Sequence, residues 1–138
     1  MKNNKRPRIV LDTNVWLSGL LFGGQPERVL RLFADNSVVV VISEELLSEL
    51  RRIVAHKFSL YAPQLDLLEA SIREGAELVK LGSYTVNVSR DPDDNKVIET
   101  AIIGECSYIV SGDKDLLVLK KYQELKIMTP AEFMQIMN

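Results

Sequence analysis

Five short runs of apolar, largely β-branched residues set the frame of this chain: Ile9–Leu11, Val38–Ile42, Leu78–Leu81, Tyr108–Val110 and Lys126–Met128. They are nearly continuous rather than alternating with polar residues, which is how strands covered on both faces read. Stretches of helical period separate them: Asn14–Phe22 and Pro26–Ala34, then Glu44–Phe58 and Pro63–Gly75, then Asp93–Glu105, with Asp115–Tyr122 and Pro130–Met137 around the last run. Strands alternating with helices specify an α/β fold, a three-layer α/β/α sandwich with a mostly parallel central sheet. A length of 138 residues, 46% of them hydrophobic, suits one domain spanning 1–138. No internal repeat, low-complexity segment or linker interrupts it.

Several boundaries carry their own explanation. Ser43 before Glu44-Glu45-Leu46 reads as a helix N-cap, while Thr129-Pro130 and Asp91-Pro92 read as cap plus first-turn proline. Tyr84–Arg90 alternates weakly and suits an edge strand or an extended crossover. A single cysteine, Cys106, removes any internal disulfide framework or Cys-rich zinc site. No apolar run approaches the roughly 18 residues of a membrane span. The basic start, Met1 to Arg8, leads into too short a run for a signal peptide, so a cytoplasmic protein is expected.

In an open α/β sheet, ligands gather at the carboxyl ends of the strands. Asp12 ends the first strand and Asp113 follows the fourth, so both face one edge. An N-cap explains either alone; two at one edge weaken that explanation. Asp94 shares a helix face with Val97, Ile98 and Ala101, at i, i+3, i+4 and i+7, and therefore lies on the core-facing stripe. A helix dipole favours such a carboxylate by roughly 0.3–1 kcal/mol, whereas burying it unpaired costs several kcal/mol, so positive charge is expected nearby. Within Glu44–Phe58, the stripe Leu46, Leu47, Leu50, Ile53 and Val54 leaves Glu49 on its margin, with Glu44 and Glu45 farther round. Glu49 is thus the acid placed to lean over the edge.

Asp12, Glu49, Asp94 and Asp113, with Asp115 close behind, form a carboxylate set with no His or Cys among them. Oxygen donors select hard cations, so Mg²⁺ or Mn²⁺ is expected rather than zinc. Without metal the carboxylates repel one another, and some should hold protons above their reference pKa near 4. Hydrolysis of a phosphodiester is the chemistry such a centre performs.

Four segments resemble, in order, the PIN domain family of small metal-dependent ribonucleases, including VapC-like toxins of toxin–antitoxin pairs. They are Val10-Leu11-Asp12-Thr13-Asn14, Ser43 to Leu50, Asp91-Pro92-Asp93-Asp94-Asn95 continuing to Ala101, and Tyr108-Ile109-Val110-Ser111-Gly112-Asp113-Lys114-Asp115-Leu116-Leu117. The resemblance implies that Asp12, Glu49, Asp94 and Asp113 are the acidic metal quartet, with Asp115 an assisting acid. It also implies that Thr13, Asn14 and Ser111 support the site. Asp91 and Asp93 fit the pattern by position, but the helical-face argument leaves them as cap and surface acids. Further implications are Mg²⁺ or Mn²⁺, an RNA substrate, a homodimer and a cognate antitoxin that occludes the site.

Positive charge near an acidic pocket helps attract a polyanion. Lys2, Lys5, Arg6 and Arg8 read as a basic arm, and Arg52, Lys96 and Lys114 are the expected phosphate contacts. His56 reads as a surface residue, Gly23-Gly24 as a loop rather than a phosphate loop, Trp16 and Phe22 as packing or interface residues, and Cys106 and Met128 as core. Two other functions compete with a metal-dependent endoribonuclease toxin. A receiver-like phosphoacceptor domain needs an acidic pair after the first strand and an Asp after the third, whereas here Asp12 stands alone and Lys80-Leu81-Gly82 follows. A binding module of the same fold, without cleavage, is disfavoured by the complete acid set. The net charge of -2 agrees with an RNA substrate once about five of the 19 acids are assigned to a metal pocket.

Overall fold

The computed structural model describes residues 6–59, 62–82 and 91–138. Its strands are β1 (Arg8–Leu11), β2 (Val39–Ser43), β3 (Glu77–Val79), β4 (Tyr108–Val110), β5 (Lys121–Tyr122) and β6 (Leu125–Met128). The helices are α1 (Thr13–Leu21), α2 (Gly24–Ala34), α3 (Glu44–Phe58), α4 (Ala62–Gly75), α5 (Pro92–Ile103), α6 (Lys114–Leu117) and α7 (Pro130–Met137). Among the described residues the strands form one sheet in the order β3-β2-β1-β4-β6-β5, parallel except where β5 meets β6. This is the mostly parallel α/β arrangement expected from the sequence.

The sheet is central because its strands are apolar on both faces. Ile9, Val10, Val40, Val41, Ile109 and Val110 are buried, and helices packed on the two sides exclude water from them, the largest favourable contribution to folding. Two parallel neighbours flank β1: Ile9 pairs with Val40 on one side and Tyr108 on the other. The chain leaves β1 towards β2 and β3, then returns through α5 to β4 on the opposite side. Crossovers therefore diverge between β1 and β4, which opens a crevice beyond their carboxyl ends. At the other end of the sheet, the Arg8 guanidinium donates to Gly104 O from Nε at 2.9 Å and from Nη2 at 2.7 Å, and pairs with Glu77. Close packing at that end requires Gly104, since a Cβ there would lie 2.5 Å from Val41 Cγ1.

Local chemistry accounts for the elements. Ser43 accepts from Leu46 N–H and starts α3 at Glu44; Thr129 and Glu132 form a reciprocal capping box on α7, with Pro130 in its first turn. Three expectations need correction. The third strand is Glu77–Val79, not Leu78–Leu81, because its pairing with β2 ends at Ser43↔Val79, where Ser43 turns into α3. The helix expected over Asp115–Tyr122 stops at Leu117; Lys120 and Gln123 take left-handed φ values of 58° and 56°, and Lys121–Tyr122 becomes an antiparallel edge strand on β6. Helix α2 starts at Gly24, two residues before Pro26, with Gly23 and Gly24 at φ 78° and 71°. The segment Tyr84–Arg90 lies outside the described residues.

Trp16 is core, its ring edge-on to Phe33 at 5.5 Å, whereas Leu20, Leu21 and Phe22 at the end of α1 are exposed. Met128 is buried, and Cys106 packs against the core from a half-buried position, where burial pushes its thiol up to about 12. His56 is exposed. Among the described residues, no helix is long and apolar enough to cross a membrane.

Candidate metal centre

The crevice beyond β1 and β4 is a cleft of about 390 Å³ lined by Asp12, Glu49, Asp91, Asp93, Asp94 and Asp113, together with Thr13, Asn14, Arg52, Ile53 and Val97. Each acid arrives by an identifiable local device. Asp12 leaves β1 and caps α1, accepting from Val15 N–H with Oδ1 at 3.0 Å. Asp113 follows β4 and caps α6 by accepting from Asp115 N–H at 2.8 Å. Asp91 caps α5 through Asp93 N–H at 2.9 Å, and Asp94 sits one helical turn on from it. Capping and clustering are thus compatible: a cap engages a carboxylate on one side and leaves it aimed at the crevice. The positive ends of α1 and α5 converge there and favour negative charge.

Burial separates the acids. Asp12 is 4% exposed and Asp94 5%, whereas Asp91 and Asp113 are half-buried. One carboxylate oxygen from each of Asp91, Asp94 and Asp113 lies within 4.8 Å of the others. Burial pushes the Asp12 carboxyl above the ordinary carboxylate range, and the Asp113 charge adds to that; hydrogen bonds from Ser111 and Val15 oppose it. Ser111, fully buried, donates its hydroxyl to Asp12 Oδ2 and accepts from Asp113 N–H at 2.9 Å. Glu49 is held by Thr13, whose hydroxyl donates to Glu49 Oε1 at 2.8 Å.

Of the residues singled out in the sequence, Asp12, Glu49, Asp94, Asp113, Thr13, Asn14 and Arg52 line this one cleft, and Ser111 lies directly behind it. Asp115 does not line it; its backbone N–H serves Asp113 instead. Lys96 lines an adjoining depression with Glu44, Glu45, Ser48, Glu49 and Arg52, and pairs with Asp93 at 3.5 Å. Lys114 is exposed at the start of α6 and lines neither. Arg8, read as part of a basic arm, begins β1 and is tied to Glu77 at the far end of the sheet; Lys2 and Lys5 lie outside the described residues. Asp91, set aside as a cap, is brought to Asp94 and Asp113. No sequence signal separated this role from capping, since Asp91 stands at the N-cap with extended backbone and accepts from Asp93 N–H.

The donor set suits a hard divalent cation. It consists of carboxylates without nitrogen or sulfur: Asp91, Asp94 and Asp113 lie at short separation, and Asp12, lining the same cleft, is buried and raised in pKa, so positive charge there relieves both.

A family model described as a PIN domain matches residues 8–115. No curated protein sequence matches the chain. Among solved structures, the fold is similar to Mycobacterium tuberculosis VapC20, a sarcin–ricin loop cleaving toxin, with 15% identity over 86% of this chain and 98% of that chain and a TM-score of 0.59. It is also similar to VapBC2 from Rickettsia felis, solved bound to a DNA fragment from their promoter, with 15% identity over 87% of this chain and 96% of that chain and a TM-score of 0.57. At that identity the likeness is one of fold.

Proposed function

Because the chain belongs to the PIN domain family, we propose that it is a divalent-metal-dependent endoribonuclease and the toxin of a type II toxin–antitoxin pair. The observation that carries the proposal is the convergence of Asp12, Asp91, Asp94 and Asp113 at the β1/β4 crevice, with Glu49 beside them. Asp12, Asp94 and Asp113 are the residues to hold Mg²⁺ or Mn²⁺, joined by Asp91. When bound, such an ion supplies charge against phosphoryl oxygens and acidifies water in the cleft.

The remaining roles belong to the chain's own groups. Arg52 lines the same cleft and offers guanidinium donors to a phosphate of the RNA strand. Thr13 holds Glu49 through Oε1, so Oε2 is the atom to accept a proton from the attacking water. The water oxygen bonds to phosphorus, the bond from phosphorus to the leaving oxygen breaks, and that oxygen takes up a proton. Ser111 fixes Asp12 from behind, so the carboxylate does not swing away as the strand enters.

A toxin of this kind requires an antitoxin to restrain it. The fold neighbours support that partner, one being a VapBC2 structure with promoter DNA and the other a sarcin–ricin loop cleaving toxin. The exposed Leu20, Leu21 and Phe22 are an apolar surface suited to a protein contact. With RNA as its substrate, the protein is expected to act in the cytoplasm.

The test is incubation of a mixed RNA pool with the protein and Mg²⁺ or Mn²⁺. Cleavage by the wild type and its loss in Asp12→Asn and Asp94→Asn are expected. Intact RNA at high protein concentration, or equal cutting by both variants, contradicts the proposal. A reading frame for a small DNA-binding protein beside this gene is expected for the toxin role.

A further inference from the structure

A second cavity, of about 240 Å³, adjoins the acidic cleft and differs from it in chemistry. Its lining includes Asn14, Ser18, Gln25, Pro26, Gly112 and Pro130, and among the described residues no charged side chain contributes. Asn14 lines both cavities, and Gly112 lies between Ser111 and Asp113 of the acidic ledge. A strand whose phosphate lies in the cleft therefore has its neighbouring nucleotide beside this cavity. We propose that the cavity receives a nucleobase of the RNA strand flanking the cut and gives the enzyme its base preference. The proposal rests on the ribonuclease function above and adds a specificity site to it.

Four observations select a base as the occupant. The absence of charge in the lining favours a neutral group here and leaves the phosphate to the cleft beside Arg52. Asn14 and Gln25 each carry an amide, which presents donors and an acceptor as a base edge does. Val15, Pro26, Pro130 and Ala131 supply apolar surface for the ring face. The fourth observation is Gly112 itself. A Cβ there would meet no atom within 4 Å, and its φ lies outside the left-handed region, so neither packing nor backbone geometry of the chain calls for glycine. Its missing side chain keeps the cavity open at the point where it joins the acidic ledge.

The test is an abasic scan. A short single-stranded RNA, and the same strand with each base removed in turn, is titrated against protein carrying Asp94→Asn to prevent cutting. Removing one base is expected to weaken binding by about tenfold, the scale of one buried base contact. Gln25→Ala, at an exposed position, and Ser18→Phe, which fills the cavity, are each expected to abolish that penalty while the abasic strand binds as before. Gln25→Ala guards against misfolding of the larger substitution. Penalties of unchanged size in both variants overturn the proposal, as expected if the cavity accepts a protein side chain instead, and so does a scan with no position-dependent penalty. Wild-type cleavage of the same strands separates the two claims: cutting without a cavity-dependent penalty retains the nuclease and removes the base site, and a cavity-dependent penalty without cutting does the reverse.

Discussion

The Ser111 hydroxyl donates to Asp12 Oδ2 across 99 positions of sequence, joining the ends of the paired strands β1 and β4. Because Asp113 N–H already donates to Ser111 Oγ, the hydroxyl proton is directed to Asp12. One small side chain thus fixes two acids of the cleft.

Ser111→Ala leaves a buried carboxylate oxygen and the Asp113 N–H without this partner. A loss of about 1–3 kcal/mol in unfolding free energy is expected by urea titration, with RNA cleavage reduced about tenfold or more, the usual cost of removing a group that orients a metal ligand. Ser111→Thr keeps the hydroxyl and is expected to retain most activity.

Asp12 gives a stability prediction of opposite sign. Its folded-state pKa is raised, chiefly by burial. The folded protein therefore holds this proton more tightly than the unfolded chain. Nothing is lost below the unfolded value near 4, and stability falls as pH rises through the interval between the unfolded and folded values. Asp12→Asn removes that cost. In metal-free protein, the variant is expected to unfold at a higher temperature than wild type, by a margin that opens above about pH 4. A margin independent of pH contradicts this.

The Arg8–Glu77 pair titrates the other way. Arg8 holds the Glu77 carboxyl below its ordinary range, so its contribution is present at neutral pH and lost as pH falls through the acid region. Both side chains are a third or more exposed, 33% and 47%, and solvent screening limits the contribution to under about 1 kcal/mol. Comparing urea unfolding of Glu77→Gln with wild type at neutral and acid pH should show a small deficit that disappears on acidification.

Gly104→Ala tests the packing that positions the sheet under the site. The new Cβ meets Val41 Cγ1 at 2.5 Å and Val41 Cβ at 3.2 Å, and Val41 is a buried, β-branched residue of a central strand. Overpacking of this kind costs about 1–3 kcal/mol, and Gly104, as the C-cap residue of α5, has little helix propensity to gain. Calorimetry should record a melting temperature lower by several degrees, with cleavage of RNA at low temperature unchanged.

Much of this architecture was legible because local signals and periodicity agreed. Ser43, Asp91 and Thr129 each mark a helix start by a side-chain oxygen accepting from the first turn, and β1, β2 and β4 are apolar enough to declare burial on both faces. The β5–β6 hairpin was not legible. It turns on left-handed backbone at Lys120 and Gln123, residue types that do not announce that conformation, and Leu116, Leu117 and Leu119 keep a helical period up to it. Asp91 was hidden differently: its capping role fully explains it within one helix. Only the approach of α5 to the β4–α6 connection brings its carboxylate to Asp113. Periodicity reports which face of an element is buried, not which two elements meet.

The most direct test of the central claim is the initial rate of RNA cleavage against Mn²⁺ concentration, for wild type and Asp94→Asn, with a chelated sample as the zero point. A rate that rises from zero and saturates with Mn²⁺ in the wild type, and is at least about 100-fold lower in Asp94→Asn, is the expected result for a metal ligand lost from the reacting centre. Cleavage that persists in chelator, or an equal rate in the variant, contradicts the assignment of this acidic cleft as the metal centre of a ribonuclease.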